Sequence, residues 1–493
     1  MLLDFPYLST IIYLPVVGAI LILLFGKGDK PTKWLAAAFT FIPFILAVAL
    51  FATFDRSAAA ATTQFEEIVD WIGPLNISYH LGVDGLSLPL FALTSFLGFM
   101  VVLISWKEHL RVREYFMWLL ILEASILGVF ASLNLVLFFI FWEVEVVPMY
   151  FLISIWGSGR KAYSAIKYVL YTLFGSALML AGILSLYFTT GSTDMMDLAS
   201  SGKAMTQTLM ATVPMFFLLL GGFAIKLPVV PVHTWLPDAH TDAPTAGSVM
   251  LAGVLIKMGG YGIIRTVSIF PGVAQDLAVP LVIVAVISVV YGAAVTLRQT
   301  DLKRLIAYSS VSHMGFVLLG VFALNGISMT GAALQMVSHG LLTGLAFAVA
   351  GLTIHNLHER NLANLGGLAR QLPFIAIAFS IAGFGSLGLP ATSGFAAEFL
   401  VFTGSFRVTG LEVYTLLAAT GVVLGAGYIL WMIQMAFYGP VLDKYNGAAD
   451  ADGIDKTYMI AFIVLIIAVG VYPAFVTNMI QQGISPIAGL FGG

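Results

Sequence analysis

The sequence predicts an all-α polytopic membrane protein with about 14 transmembrane helices, including two inverted five-helix repeats that each contain a broken helix. Composition, apolar segment length and the spacing of charged residues indicate this fold. Of its 493 residues, 60% are hydrophobic and only 10% are charged, whereas a soluble domain carries about 25% charged residues. We therefore expect an integral membrane protein.

A transmembrane helix needs about 20 apolar residues, and segments of this kind recur along the whole chain. The first begins with Asp4 rather than with a basic region, so we interpret it as a retained span and not as a cleaved signal. The expected spans are 3–25, 33–54, 85–106, 114–132, 134–156, 164–189, 212–236, 245–268, 277–297, 304–323, 328–354, 373–405, 411–438 and 457–480.

The basic residues are distributed unevenly between alternate loops. Of the 22 Lys and Arg residues, 15 fall in one set of loops, and only Arg56, Lys203, Arg265 and Arg407 fall in the other. Cytoplasmic loops carry the excess of Lys and Arg. The larger set is therefore predicted to be cytoplasmic, with both termini on the non-cytoplasmic side. The three basic residues left within spans are Lys167, Lys226 and Lys257.

The segment 221–240, GGFAIKLPVVPVHTWLPDAH, combines a lysine with a proline-rich stretch inside an apolar span. Proline removes a backbone donor and clashes with the preceding turn, so the helix should break after Lys226. A lysine in a membrane segment costs roughly 3 kcal/mol on insertion scales and is most often functional. This segment therefore predicts a buried proton or ion path.

Ionisable residues recur at nearly constant offsets. Glu143 and His313 are 170 residues apart, and Lys167 and His339 are 172 apart, as are Lys226 and Glu398. Because each unit has five spans, the copies run in opposite directions, as in transporters with inverted repeats. The second broken helix is predicted at 383–400. The predicted divisions are an N-terminal three-helix segment 1–112, a first repeat 113–270, a second repeat 271–440, and a C-terminal loop and helix 441–493.

Several function classes are excluded or disfavoured. The chain has no cysteine, which excludes cysteine-ligated iron–sulfur clusters and disulfides. No nucleotide-binding loop, nucleophile elbow or metal-ligand cluster is present. Haem ligation by His313 and His339 is disfavoured, because each matches a charged residue of the other repeat and no second histidine pair of this kind is present. A sodium/proton antiporter subunit remains the alternative, although lysine and histidine suit protons better than sodium.

Long motifs along the chain resemble the antiporter-like subunits of complex I, the NADH–quinone oxidoreductases, and within them the chain-M type. The motifs are FWEVEVVPMYFLISIWG (141–157), KYVLYTLFGS (167–176), KLPVVPVHTWLPDAH (226–240), LAGVLIKMGGYG (251–262), LKRLIAYSSVSHMGF (302–316), LQMVSHGL (334–341) and SGFAAEF (393–399).

This resemblance implies a proton-translocating subunit of a respiratory or photosynthetic complex I, in a bacterial inner or thylakoid membrane. It implies neighbouring membrane subunits of the chain-L and chain-N types and contact with lipids, but none with nucleic acid. The chain itself would carry out no redox chemistry and hold no cofactor or metal. Iron–sulfur clusters, flavin and quinone would belong to partner subunits that transfer electrons to quinone.

The resemblance also implies roles for individual residues. Glu143 and Lys226 would form a switching ion pair with Lys167 nearby, and Lys257 would be the central relay. The remaining members would be His313 and His339 on a hydrated axis and Glu398 near the outward exit. Simple bonding between helices is the alternative for each residue. Glu123 and Glu145 are expected close to helix ends, and their roles, like those of His233 and His240, are left open.

Overall fold

The N-terminal part of the chain supplies four helices and one small sheet. The structure is a computed structural model that describes residues 5–57, 62–200 and 209–492. Its first helices are α1 (Tyr7–Phe25), α2 (Asp29–Thr53), α3 (Ser87–Ile104) and α4 (Val112–Ala131). Each is long and apolar enough to cross a membrane.

The segment between α2 and α3, expected only as an external loop, forms an antiparallel hairpin. Its strands are β1 (Thr63–Ile72) and β2 (Ile77–Asp84). Asp84 ends the hairpin, and its carboxylate accepts hydrogen bonds from the backbone amides of Leu86 at 3.0 Å and Ser87 at 2.8 Å. Asp84 thus caps the start of α3, as its position before an apolar segment predicts.

The next part of the chain contains the first broken helix. Two prolines, Pro228 and Pro231, lie in the gap between α9 and α10, so the helix breaks after Lys226 as predicted. A second irregularity is a π-helical segment, Leu251–Leu255, directly before α12. The helices are α5 (Leu135–Val144), α6 (Val146–Trp156), α7 (Lys161–Thr190), α8 (Met195–Ser200), α9 (Leu209–Lys226), α10 (Trp235–Asp242), α11 (Thr245–Met250) and α12 (Ile256–Ile269).

The second broken helix also lies where the sequence predicts it. The break contains Gly388, whose φ of +71° favours glycine, and Pro390. The helices here are α13 (Pro271–Asp276), α14 (Ala278–Thr296), α15 (Leu302–Phe322), α16 (Gly326–Leu357), α17 (Pro373–Ser386), α18 (Ser393–Phe406) and α19 (Glu412–Phe437).

Two helices complete the chain, α20 (Gly453–Val471) and α21 (Ala474–Gly489). Within the described ranges, 12 helices are long and apolar enough to span a membrane. The pairs α9/α10 and α17/α18 add the two broken spans, which agrees with the predicted helical membrane fold. The sequence did not predict α21 as a separate helix. The division into two repeats stays a prediction.

Burial separates the central helices from the peripheral ones. The span formed by α11 and α12 is 100% buried, and α15 and α16 are each 94% buried. By contrast, only a third of α2, α14 and α20 is buried. The peripheral helices therefore present apolar side chains to lipid. The ionisable residues Lys257, His313 and His339 lie on the most buried helices.

Candidate functional site

Lys226 forms a completely buried ion pair with Glu145. The lysine is 1% exposed and the glutamate 0%, and the ammonium group contacts Glu145 Oε1 directly. The Tyr168 hydroxyl donates a 2.6 Å hydrogen bond to the other carboxylate oxygen. The lysine Nζ also lies 5.4 Å from the ring centroid of Trp142 and 5.3 Å from that of Tyr168. These contacts offset the cost of burying the charge.

This pairing corrects the predicted partner of Lys226, which was Glu143. The side chain of Glu143 is half-buried and borders a groove of about 330 Å³ with Tyr150 and Leu173. Its Oε1 atom has no hydrogen-bond partner in the described part of the chain. Two residues along a helix amount to a rotation of about 200°, so the two acids face nearly opposite sides.

Lys167 pairs with an acid outside the buried pair, whereas the sequence predicted a position near Glu143 and Lys226. Its Nζ donates a 2.8 Å bond to Asp238 Oδ2, and Asp238 also lies 3.4 Å from Arg304. The Lys167 side chain is 19% exposed. Its neighbour Tyr168, which the sequence did not single out, makes the contact with Glu145 instead. Lys167 therefore belongs to a partly exposed charged cluster with Asp238 and Arg304.

Lys257 follows the π-helical segment and joins the two parts of the chain. Such a bulge releases backbone carbonyls from the regular ladder, and the Lys257 ammonium donates to the Ala252 carbonyl within it. Lys257 Nζ also lies 2.8 Å from His339 Nδ1 on α16. Glycines permit this approach, because a Cβ on Gly340 would lie 2.7 Å from the Gly253 carbonyl oxygen.

His313 connects His339 to Glu398. The two imidazole rings have centroids 5.4 Å apart, and His313 Nδ1 lies 3.8 Å from Glu398 Oε1. That distance is too long for a direct hydrogen bond. Gln335 Nε2 is also 3.4 Å from His313 Nδ1. The structure thus brings Lys257, both histidines and Glu398 together, although their roles stay predictions.

The Glu145–Lys226 pair is linked to the group that contains Lys257 by the packing of α9 on α12. A Cβ on Gly259 would lie 2.6 Å from the Leu227 backbone nitrogen, so the broken end of α9 packs directly on the helix that carries Lys257. Buried ionisable groups therefore line both parts of the chain, from Glu145 to Glu398. Such groups in membrane segments mark ion and proton pathways.

The residues whose roles were left open occupy different environments. His240 stacks on Phe347 with ring centroids 4.6 Å apart, and His233 packs edge-on against Tyr291. Glu123 lies in the middle of α4 and not near a helix end. It is fully buried, and neither carboxylate oxygen has a partner among the described residues. The expectation of a helix-end position was therefore wrong for Glu123, whereas Glu145 does lie at the junction between the ends of α5 and α6, inside one span.

Arg265 is a further correction. It was counted with the loop residues although the expected span 245–268 contains it, and it lies within α12 and is only 7% exposed. Its guanidinium pairs with Asp84 at 2.5 Å and lies 4.9 Å from the Tyr261 ring centroid. A span can thus hold a basic residue near its end when a distant acid neutralises it.

In the part of the chain that the structure describes, no group of three or more His, Cys, Asp or Glu side chains could hold a metal ion.

A family model described as "NADH:quinone oxidoreductase/Mrp antiporter, TM" matches residues 132–438, well over half of the chain. The matched region contains Glu145, Lys226, Lys257 and Glu398. The chain belongs to this family. It is therefore a multi-pass membrane protein of the antiporter-like type.

Full-length relatives agree with this assignment. The chain is 38% identical to NADH-quinone oxidoreductase subunit M of Rhodobacter capsulatus, covering 97% of this chain and 95% of the relative. It is 37% identical to F(420)H(2) dehydrogenase subunit M of Methanosarcina mazei, covering 99% of each. NAD(P)H-quinone oxidoreductase chain 4 of Acaryochloris marina is also 37% identical, covering 96% of this chain and 91% of the relative.

Solved structures show the same fold. A chain of respiratory complex I from Thermus thermophilus superposes with a TM-score of 0.89 at 26% identity, covering 99% of this chain and all of the other. A chain of the Mrp complex from Dietzia sp. superposes with a TM-score of 0.83 at 21% identity, covering 96% of this chain but 51% of the other. The second likeness shows the fold alone.

Proposed function

We propose that this chain is a proton-translocating membrane subunit of a complex I-type oxidoreductase. Its partner subunits would carry the flavin, the iron–sulfur clusters and the quinone site, and its neighbours would be other antiporter-like chains. The names of the full-length relatives support this assignment. The observation that carries it is the row of buried ionisable groups formed by Glu145, Lys226, Lys257, His339, His313 and Glu398.

The proposed cycle begins with the Lys226–Glu145 pair closed, so that the carboxylate stabilises the ammonium group. A charge change in a neighbouring subunit separates the pair. Burial disfavours the charged form of an amine that has lost its counter-ion, so Lys226 passes its proton towards Lys257. Closing the pair again restores the affinity of Lys226 for a proton.

Transfer beyond Lys257 uses groups that can both accept and donate protons. Neutral imidazole has one nitrogen acceptor and one N–H donor, so His339 receives a proton at Nδ1 and releases one at Nε2. His313 continues the path to Glu398. We assign the face with Lys167, Asp238 and Arg304 to the cytoplasm, because the basic loops lie there. Both termini then lie on the other side.

The test is proton pumping by the purified complex that contains this chain, reconstituted into vesicles. Lys226→Ala should lower the number of protons moved per electron, while the exposed Lys444→Ala serves as a matched control. Electron-transfer rates are measured in the same vesicles. A Lys226→Ala complex that pumps as many protons per electron as its parent would contradict the proposal.

Co-purification separates this function from a sodium/proton antiporter. Peripheral iron–sulfur subunits bound to the chain support the complex I assignment. Small membrane antiporter chains without redox subunits would instead support the antiporter.

A further inference from the structure

Helix α12 carries a further line of polar side chains that begins at Lys257. Lys257, Tyr261 and Arg265 follow each other at intervals of four residues, which places them along one side of the helix. All three are buried, as is every other residue of α12. The Tyr261 side chain is fully buried, and Arg265 Cζ lies 4.9 Å from the centroid of its ring. A polar column therefore leads from Lys257 towards the hairpin, away from His339.

The column ends at the hairpin face, which we define as the face of the protein where the β1–β2 hairpin meets α3. The span Thr245–Ile269 is 25 residues long, or about 37 Å at 1.5 Å per residue. Asp242, just before this span, accepts a 2.6 Å hydrogen bond from Ser164 near the charged cluster of Asp238. Arg265, near its other end, meets Asp84. The column therefore points from the relay to the opposite membrane face.

Arg265 differs chemically from the relay residues. A guanidinium group stays protonated in proteins and has no acceptor atom, so it cannot take a proton from Tyr261 and pass it on. Asp84 cannot easily move away, because its Oδ1 atom caps α3 through Leu86 and Ser87 while Oδ2 holds the guanidinium. The pair thus holds a permanently protonated guanidinium, balanced by a fixed carboxylate, at the end of the column.

The backbone of α21 also covers the end of the column where Arg265 pairs with Asp84. Gly85, next to Asp84, is so close to α21 that a Cβ there would overlap the Met479 carbonyl. In the same place a Cβ on Gly483 would lie 2.5 Å from the Leu86 nitrogen. Two glycines therefore allow α21 to pack tightly against the loop that carries Asp84, which leaves little room for water beside the pair.

We propose that the Arg265–Asp84 pair is a seal that stops protons on Lys257 from leaking directly to the hairpin face. Fixed arginine charges exclude protons and cations from other membrane pores in this way. The seal directs protons from Lys257 to His339 and onwards to Glu398. This inference rests on the proposed proton relay and assigns Arg265 and Asp84 a positioning role beside it.

The test measures passive proton conductance of the reconstituted complex without electron transfer, from the decay of an imposed pH difference reported by an entrapped dye. The Arg265→Gln/Asp84→Asn variant removes both charges, while asparagine still caps α3. We expect its proton conductance to rise above the parental value, because the permanent positive charge on the same side of α12 as Lys257 no longer opposes a proton leaving Lys257. Adding Lys257→Met should return the conductance to the parental value.

The matched control is His80→Asn/Asp194→Asn, which removes a 2.6 Å pair on β2 and after α7 that lies off the column. Parental conductance in Arg265→Gln/Asp84→Asn would overturn the seal, as would a leak that persists with Lys257→Met. Electron-driven pumping in the same vesicles tests the relay separately. If Lys257→Met alone pumps normally, the proposed function fails, whatever the leak measurements show.

Discussion

The two parts of the proposed relay hold their acids in different ways. In the first, Glu145 and Lys226 are in direct contact, both with side chains at most 1% exposed. In the second, Glu398 and His313 are 3.8 Å apart without a direct hydrogen bond. The first site is therefore a closed ion pair, whereas the second is a looser contact whose basic partner can be neutral.

In the proposed relay, this difference favours a different task for each site. Separating a buried ion pair costs energy because each charge loses its partner, so the first site can store the effect of a neighbouring charge change. A histidine–carboxylate contact can exchange a proton without leaving two charges unpaired. The second site therefore suits release of the proton rather than switching.

The largest expected effect is that of Glu145→Gln. This change leaves Lys226 buried without a counter-ion, which costs roughly 3–5 kcal/mol, so we expect loss of both pumping and assembled complex. Assembly is measured by the yield of intact complex in the membrane, and pumping by protons moved per electron. The double variant Glu145→Gln/Lys226→Met should recover assembly without pumping, because no unpaired charge remains.

Glu143→Gln is the matched control for this change, two residues away on the same span. Because Glu143 is half-buried and does not pair with Lys226, we expect nearly normal assembly and a much smaller loss of pumping. If Glu143→Gln stops pumping and Glu145→Gln does not, the pairing of Lys226 with Glu145 is not the functional one.

The next effect is that of Glu398→Gln in the second site. Neutral His313 needs no counter-ion, so the complex should assemble normally. Proton transfer through this chain should slow about a hundredfold, because a positioned proton-transfer group contributes at least about that factor, and the number of protons moved per electron should therefore fall. The measurements are again intact-complex yield and protons per electron. Gln335→Leu, which removes the neighbouring amide beside His313, is the comparison variant and should retain more pumping.

An assembly defect in Glu398→Gln as severe as that in Glu145→Gln would break the contrast between the two sites. It would mean that His313 is held as a cation and that the second site is also a closed ion pair.

The sequence predicts the helical fold and both helix breaks because these depend on local features. Apolar segment length predicts the spans, and proline with glycine predicts the breaks after Lys226 and near Gly388. The choice between Glu143 and Glu145 cannot be made in this way. Glu143 lies between Trp142 and Val144, and Glu145 lies between Val144 and Val146. Only packing against α7 and α9 decides which of the two acids faces Tyr168 and Lys226.

Arg265 could not be placed from sequence for a related reason. Its partner Asp84 lies 181 residues earlier in the chain, and a charge near the end of an apolar segment is ordinarily assigned to a loop. Tyr168 and the π-helical segment before Lys257 were missed as well. A tyrosine in an apolar span carries no signal of its own, and a π-bulge depends on the fit between neighbouring helices.

The smallest expected effect is that of Gly340→Ala, which tests the contact joining the two parts. The added methyl group would lie 2.7 Å from the Gly253 carbonyl oxygen and 2.6 Å from a Leu93 methyl, so α16 must shift away from the π-helical segment. This lengthens the 2.8 Å contact between Lys257 and His339. Overpacking costs about 1–3 kcal/mol, so we expect a few-fold loss of pumping with the complex intact.

Gly351→Ala on the same helix provides the control, because its methyl group would meet Thr245 at a point three turns from His339. If Gly340→Ala reduces pumping and Gly351→Ala does not, proton transfer depends on the Lys257–His339 distance rather than on helix packing in general. Equal losses in both variants would show that α16 acts only as a scaffold. The Lys257–His339 contact would then not connect the two sites functionally.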